Sequence, residues 1–348
     1  MKDSFERKYF AASNSSCGFV SYYPQVFSPE RCKRLYVVKG GPGTGKSRFM
    51  REVAAYAEAR GERVIHYYCS SDPESLDGIF LEHSAIGLLD GTAPHVYEPQ
   101  SVGVFEQIVN LGQFWNERML FGRRDEVERL AREKQTAFSA AYSYLRAVGA
   151  VDGAVRGALV ASVNRRKLAR KAERFVSDLP KAQGPREEIA LCGSIGMRGR
   201  VRFDTYERSA SRVIRVSDYA SVGQMYLWEV LCACRARGIS VRYSPDPIFP
   251  DRIDALELLE GRTALVLCGS GEEQNVNARR FLDEEKFRSI RRYIRAAETQ
   301  KKSLLTLAEG ALGRVSGSHF ALEEIFGAAM DFSAKEAFTE DFCRRLFE

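Results

Sequence analysis

Val38-Lys-Gly-Gly-Pro-Gly-Thr-Gly-Lys-Ser47 is the stretch on which the reading of this 348-residue chain turns. Residues 40–47 spell GxxxxGK[ST] in full, the pattern of a loop that cradles phosphates when a strand leads in and a helix leads out. Both flanks agree. Residues 35–38 form a short apolar, β-branched run that ends at glycines. Residues 47–59 put Phe49, Met50, Val53, Ala54 and Ala57 on one helical face, and Gly61 stops the helix. Gly40, Gly41, Gly43 and Gly45, with Pro42 and Thr44 between them, let backbone N–H groups converge on phosphate oxygens without Cβ clashes. The helix N-terminus adds the positive end of a dipole. Lys46 is placed to reach β- and γ-phosphates, and the Ser47 hydroxyl to ligate Mg²⁺. The expected ligand is a nucleoside triphosphate, Mg-ATP.

Working outward, residues 64–69 and 85–89 read as two further core strands, and 9–12 and 18–22 as short strands joined by a polar turn. Strand–helix–strand order implies parallel pairing and an α/β domain. Ala85-Ile-Gly-Leu-Leu-Asp90 is an apolar strand closing in an acid, as a Walker B strand does, so Asp90 is the expected second Mg²⁺ ligand. The plainer reading is a cap on the next turn. Asp72 and Asp77 lie in Ser70-Ser-Asp-Pro-Glu-Ser-Leu-Asp77-Gly78, read as a loop beyond the second strand, where ligands of open α/β sheets sit. Either could orient a water or a hydroxyl, or shape an Asx-turn around Pro73 and Gly78. His95, after Thr92-Ala-Pro94, is either a γ-phosphate sensor or a structural loop histidine. The expected catalytic set is Lys46, Asp90, Asp72 and His95; the expected metal ligands are Ser47 and Asp90. No glutamate follows Asp90, and LSGGQ, NKxD and DxxG are missing, which excludes a transporter ATPase and favours ATP over GTP by default.

The second half echoes the first. Ala59-Arg60-Gly61 recurs as Ala236-Arg237-Gly238, and Glu52-Val53 as Glu229-Val230, both 177 residues on. Asp72-Pro73 matches Asp246-Pro247, and Asp77 matches Asp251, both 174 residues on. A tandem duplication is expected. Where the first half has its glycine loop, the second reads Val216-Ser-Asp-Tyr-Ala-Ser-Val-Gly-Gln-Met225, with Gly223 or Gln224 in place of Lys46. That copy should not bind phosphate, and Tyr219 or Gln224 should fill its loop. The expected units are 1–185 (α/β core about 1–112, helical appendage about 113–180) and 186–348 (core about 188–272, appendage about 275–348).

Composition adds bounds. Hydrophobic residues are 45% and charged residues 28%, within the range of ordinary globular proteins. A net charge of +6 permits an acidic partner without demanding one. The eight cysteines form no CxxC pair and fit neither a zinc site nor a disulfide framework. No apolar run reaches signal-peptide or membrane-span length, so a soluble cytoplasmic protein with no membrane partner is expected. Two basic stretches, Arg165-Arg-Lys-Leu-Ala-Arg-Lys171 and Arg288-Ser-Ile-Arg-Arg-Tyr-Ile-Arg295, could grip phosphate backbones. No base-reading motif accompanies them, so solvated helix faces are the plainer reading.

At Lys39-GGPGTGKS47, Cys69-SSDPESLDG78, Leu89-DGTAPHV96, Asn110-LGQFW115 and His319-FALEEIFGAAMDF332 the chain resembles uncharacterised ATPase-like proteins of Firmicutes with duplicated P-loop units. The resemblance implies ATP binding and hydrolysis but no known substrate. The family carries a P-loop in each half, whereas the second is degenerate here. The expectation is a P-loop NTPase-like α/β unit duplicated in tandem, each copy with a helical appendage. Its function would be a slow ATPase or ATP-dependent switch acting on an unknown protein partner. A phosphotransferase and a nucleic-acid-associated ATP-binding protein are the alternatives.

Overall fold

A computed structural model describes residues 5–93, 97–269 and 272–347; His95 lies outside the described residues. The first half runs β1 (Arg7–Phe10), β2 (Ala12–Ser15), β3 (Gly18–Ser21), α1 (Tyr23–Val26), β4 (Arg34–Lys39), α2 (Lys46–Glu58), β5 (Val64–Tyr68), β6 (Leu76–Leu81), β7 (Ile86–Asp90) and β8 (Glu106–Asn110). Three helices follow: α3 (Glu117–Phe121), α4 (Arg124–Leu159) and α5 (Arg165–Val176). The second half runs β9 (Glu187–Ile189), β10 (Gly193–Gly196), β11 (Gly199–Arg202), α6 (Thr205–Ser209), β12 (Arg212–Ser217), α7 (Val222–Arg237), β13 (Val241–Pro245), β14 (Ile253–Leu258), β15 (Thr263–Cys268) and β16 (Val276–Asn277). It closes with α8 (Glu284–Gly313), α9 (Val315–Ala328) and α10 (Phe332–Leu346).

The architecture is mixed α/β with two six-stranded sheets. The first is ordered β1-β5-β6-β7-β4-β8 and the second β9-β13-β14-β15-β12-β16. Directions correspond as well: β6 and β14 run antiparallel to both neighbours, and every other pairing is parallel. The all-parallel pairing expected from strand–helix–strand order is therefore corrected by one inserted strand. Leu76-Asp-Gly-Ile-Phe-Leu81 is buried along its whole length, and Asp77-Gly78 disguises it as a turn. The glycine is required there, because a Cβ on Gly78 would meet the Phe27 ring at 2.8 Å and the Leu88 carbonyl at 2.9 Å.

The break at 185/186 separates the two sheets in sequence, but packing crosses it. Leu168, Ala172 and Val176 of α5 join the core of Leu227, Val230 and Leu231 on α7. Phe342 and Cys343 of α10 join Phe49 and Val53 on α2, with the Phe49 and Phe342 rings 5.1 Å apart. Each half thus ends in a helix that packs on a helix of the other half, α5 on α7 and α10 on α2. Phe10 and Leu191 exchange backbone hydrogen bonds of 2.8 and 3.2 Å where the halves meet. The turn of each hairpin also reaches across. Ser16 N donates to the Ile248 carbonyl at 2.9 Å, and Met197 N donates to the Ser71 carbonyl at 2.8 Å. A Cβ on Gly196 would lie 2.5 Å from the carbonyl oxygens of Ser70 and Ser71, so this close approach needs glycine. Among the described residues no helix is long and apolar enough to cross a membrane.

Candidate functional site

β4 and β7 lie side by side and parallel, with Val38 opposite Asp90. Their carboxyl ends bring the glycine loop and Asp90 to one edge, where open sheets place ligands. Gly45 is left-handed (φ +77°) and opens α2 with no side-chain cap, so the first-turn N–H groups remain for a ligand. Gly43 is also left-handed (φ +71°), and a Cβ there would lie 2.2 Å from the Glu323 carbonyl oxygen.

Lys46 Nζ donates to the carbonyls of Gly40 and Gly41 at 2.9 and 2.7 Å and stands 3.6 Å from the Asp90 carboxylate. The two side chains are only 10% and 12% exposed, which makes this a partly desolvated pair. Burial pushes the Asp90 carboxyl above the usual carboxylate range, against the pull of Lys46. Thr92 donates to Asp90 through its N–H at 2.9 Å and its hydroxyl at 2.5 Å. Ser47 Oγ accepts from Leu76 N at 2.9 Å, which anchors the hydroxyl at the start of β6.

Asp72 adopts the Asx-turn role, accepting from Glu74 N at 3.3 Å and from Ser75 Oγ at 3.0 Å. Arg198, from the β10–β11 turn, approaches its carboxylate to 3.5 Å. Asp77 lies within β6, not in the expected loop, and both acids line the same cleft as the glycine loop.

That cleft, of about 770 Å³, is roofed by residues for which sequence motifs give no signal. Lys134 and Phe138 come from α4, His319 and Glu323 from α9, and Met197 from the second half's hairpin. His319 belongs to a segment quoted for the family resemblance; Lys134 is one charge among many on a long helix. Lys134 Nζ lies 3.1 Å from His319 Nδ1, and His319 Nε2 lies 3.5 Å from Glu323. Burial, then the neighbouring Lys134, brings the His319 pKa down to about 4. The imidazole is therefore neutral near pH 7, accepts from Lys134 at Nδ1, and presents its proton at Nε2 to Glu323. Burial also lowers the Lys134 pKa. Lys46 from the loop and Lys134 from the roof thus line a single cleft, together with Lys39, which is tied to the Gly91 carbonyl at 2.8 Å.

The corresponding place in the second half is built differently. The registers of β5, β6 and β7 map onto β13, β14 and β15 at an offset of 177: Leu76 corresponds to Ile253, Gly78 to Ala255 and Leu89 to Val266. The helix ends agree, since Glu62 N bonds to Ala57 O as Ile239 N bonds to Cys234 O. Lys46 then falls on Gly223, Ser47 on Gln224, and Asp90 on Leu267. The sequence pairing of Asp72 with Asp246 and Asp77 with Asp251 is corrected: Asp246 takes the place of Cys69, and Asp254 that of Asp77. The repeated Asp-Pro reflects shared turn chemistry, because Asp246 caps Ile248 N and Phe249 N at 2.8 and 2.9 Å.

Side chains bond to one another at this second position. Asp218 Oδ1 accepts from Gly223 N at 2.9 Å, placing a carboxylate at the start of α7. Gln224 Nε2 donates to Asp246 at 2.6 Å, as expected of a filling residue, whereas the other candidate, Tyr219, packs on the Phe287 ring. Arg252, at the place of Ser75, donates to Ser221 Oγ at 2.6 Å and to Gln224 Oε1 at 3.2 Å. It also pairs with buried Asp152, which accepts from Lys301 at 2.8 Å. Compared with known proteins, the chain matches no family, no curated protein and no solved structure.

Proposed function

We propose that the chain binds one Mg-nucleoside triphosphate, ATP in preference to GTP, on residues 40–47, and uses it as a slow ATPase or ATP-dependent switch. The observation that carries this reading is the uncapped N-terminus of α2, which opens on a cleft that also holds Lys46, Ser47, Asp90 and Lys134. Unsatisfied N–H groups and two ammonium groups form a binding site for a polyanion. Ser47 and Asp90 supply the one hydroxyl and one carboxylate that suit Mg²⁺, which takes few protein ligands and completes its shell with phosphate oxygens. Bound nucleotide would supply the electrophilic γ-phosphorus. The chain's own contribution is charge: Lys46 would leave the Gly40 and Gly41 carbonyls for phosphate oxygens, and Lys134 would add a second cation from the roof.

We further read the matching strand order of the two sheets as a tandem duplication whose second copy has become a scaffold. Its helix α9 and its hairpin help wall the first copy's cleft, so it stays necessary without binding nucleotide itself. Calorimetric titration with Mg-ATP tests the reading: one site per chain is expected, abolished or weakened by Lys46→Ala. Phosphate release without any added acceptor separates an ATPase from a phosphotransferase. Wild-type affinity in Lys46→Ala would overturn the site.

A further inference from the structure

Helix α5 reads Arg165-Arg-Lys-Leu-Ala-Arg-Lys-Ala-Glu-Arg-Phe-Val176, six basic residues against the single acid Glu173. Leu168, Ala172 and Val176 are buried against the second sheet's helix, which turns the remaining face outward. Arg166, Lys167, Arg170 and Arg174 are exposed there, and Lys171 is half-buried. Arg280, carried by the 3-10 turn before α8, joins these five around one surface cleft of about 410 Å³. Lys167 Nζ donates to the Arg280 carbonyl at 2.6 Å, which ties that turn to the helix. Among the described residues, none of these six cations comes within 4.0 Å of a carboxylate oxygen.

Like charges four apart on a helix repel, so Arg166, Arg170 and Arg174 in one row and Lys167 and Lys171 in the next weaken α5. The packing role does not demand this. Helix α10 packs on α2 as α5 packs on α7, and its cations are balanced by acids. Arg344 and Arg345 pair with Asp341, and Lys335 with Glu52. The uncompensated row on α5 therefore calls for an anionic partner.

We infer that the outer face of α5, with Arg280, binds the phosphodiester backbone of a nucleic acid without reading its bases. Four of the six cations are arginines, whose planar forks suit phosphate oxygens. No aromatic side chain lines the cleft, so stacking on bases has no platform. An amphipathic helix lying in a bilayer would need a free apolar face, and the apolar face of α5 is spent in the core. This inference is independent of the nucleotide site.

The test is fluorescence anisotropy of the full chain with a labelled mixed-sequence DNA duplex over a salt series. Non-specific binding at roughly 10⁻⁴–10⁻⁶ M near physiological salt is expected, with a log–log salt slope of about −0.9 per phosphate contacted. The triple variant Arg166→Glu/Arg170→Glu/Arg174→Glu should lose most of the affinity and flatten the slope by about 3. Arg344→Glu/Arg345→Glu on α10 should bind as wild type. Should the triple glutamate variant melt early, the triple glutamine variant serves in its place and should still flatten the slope. No binding at low salt, wild-type binding by either triple variant, or binding to phosphatidylserine vesicles but not to DNA would each overturn the inference.

Discussion

The two helix starts, α2 and α7, occupy the same place in sheets of the same strand order and meet opposite fates. At α2 the loop is glycine-rich, the first turn is uncapped, and the cleft beyond is open and lined by cations. At α7 a carboxylate from Asp218 sits on the Gly223 amide, and Gln224 and Arg252 bond to each other on the wall of a smaller cleft of about 350 Å³. A helix N-terminus attracts an anion either way. The difference is whether the chain supplies that anion or leaves the place for a ligand. Arg252 is part of a buried network with Asp152 and Lys301, so it is a structural member, and freeing it for a phosphate would cost stability.

The largest expected effect follows from that network. Arg252→Ala leaves Asp152 buried with one partner fewer, and removing one member of a buried ion pair costs about 3–5 kcal/mol. At the corresponding place in the first half, Ser75→Ala removes a single hydrogen bond to Asp72, worth about 1 kcal/mol. Chemical denaturation of the two variants checks the contrast. Equal losses would mean that Arg252 is not holding the second half together.

Next is the pH dependence of the roof. His319 has a pKa of about 4 when folded against an ordinary value of 6.5, so the unfolded chain takes up this proton first as pH falls. The depressed pKa makes stability full above about pH 6.5 and erodes it as pH falls toward 4. The total is about 3 kcal/mol at about 1.36 kcal/mol per unit. His319→Gln should remove that part of the acid slope, as read by melting temperature between pH 4 and 7. A wild-type slope in the variant would place the histidine in solvent.

Lys46→Ala ranks third. It should weaken Mg-ATP binding by roughly 1.5–3 kcal/mol, about 10- to 150-fold. The structure adds a consequence: the buried Asp90 loses its cation, so the variant should also be less stable. Adding Asp90→Asn should restore stability but not affinity, and calorimetry beside thermal melting separates the two. In Asp90→Asn alone, turnover should fall more than nucleotide affinity, because Lys46 and the loop amides remain.

Much of this contrast was legible in the sequence, and the reasons for the remainder are physical. The glycine loop, α2 and the acid at the end of β7 could be read because local backbone chemistry demands particular residues at fixed spacing. The absence of that pattern between β12 and α7 could be read for the same reason. The antiparallel β6 could not, since a fully buried strand broken by Asp77-Gly78 shows neither alternation nor a clean apolar run. The likeness of the two halves was visible, but its alignment slipped by three residues where Asp-Pro recurs for turn chemistry. The roof as an assembly was invisible, although His319 lies in a segment that carries the family resemblance. Lys134 and His319 lie 185 residues apart, and only the packing of α4 and α9 over the loop brings them together. The packing of α5 on α7 and of α10 on α2 likewise follows from tertiary contacts, which an apolar stripe alone does not assign.

The smallest expected effect is at Asp218, and it probes the comparison most directly. If the α7 site failed to bind nucleotide only because its own carboxylate blocks the helix start, Asp218→Ala would expose the Gly223 amide and create a second site. The geometry argues otherwise. Gly223 stands where Lys46 should be, Leu267 where Asp90 should be, and Gln224 is already committed to Asp246. Arg252 contributes positive charge, but Asp152 holds it inside the network. Removing Asp218 should therefore cost only the capping contribution, roughly 0.5–2 kcal/mol of stability. Mg-ATP stoichiometry should stay at one per chain, and at a hundredfold excess over Kd the ligand should stabilise the variant and the wild type equally, by about 2.7 kcal/mol. A stoichiometry near two in Asp218→Ala that persists when Lys46→Ala is added would show that a single carboxylate is all that separates the two halves.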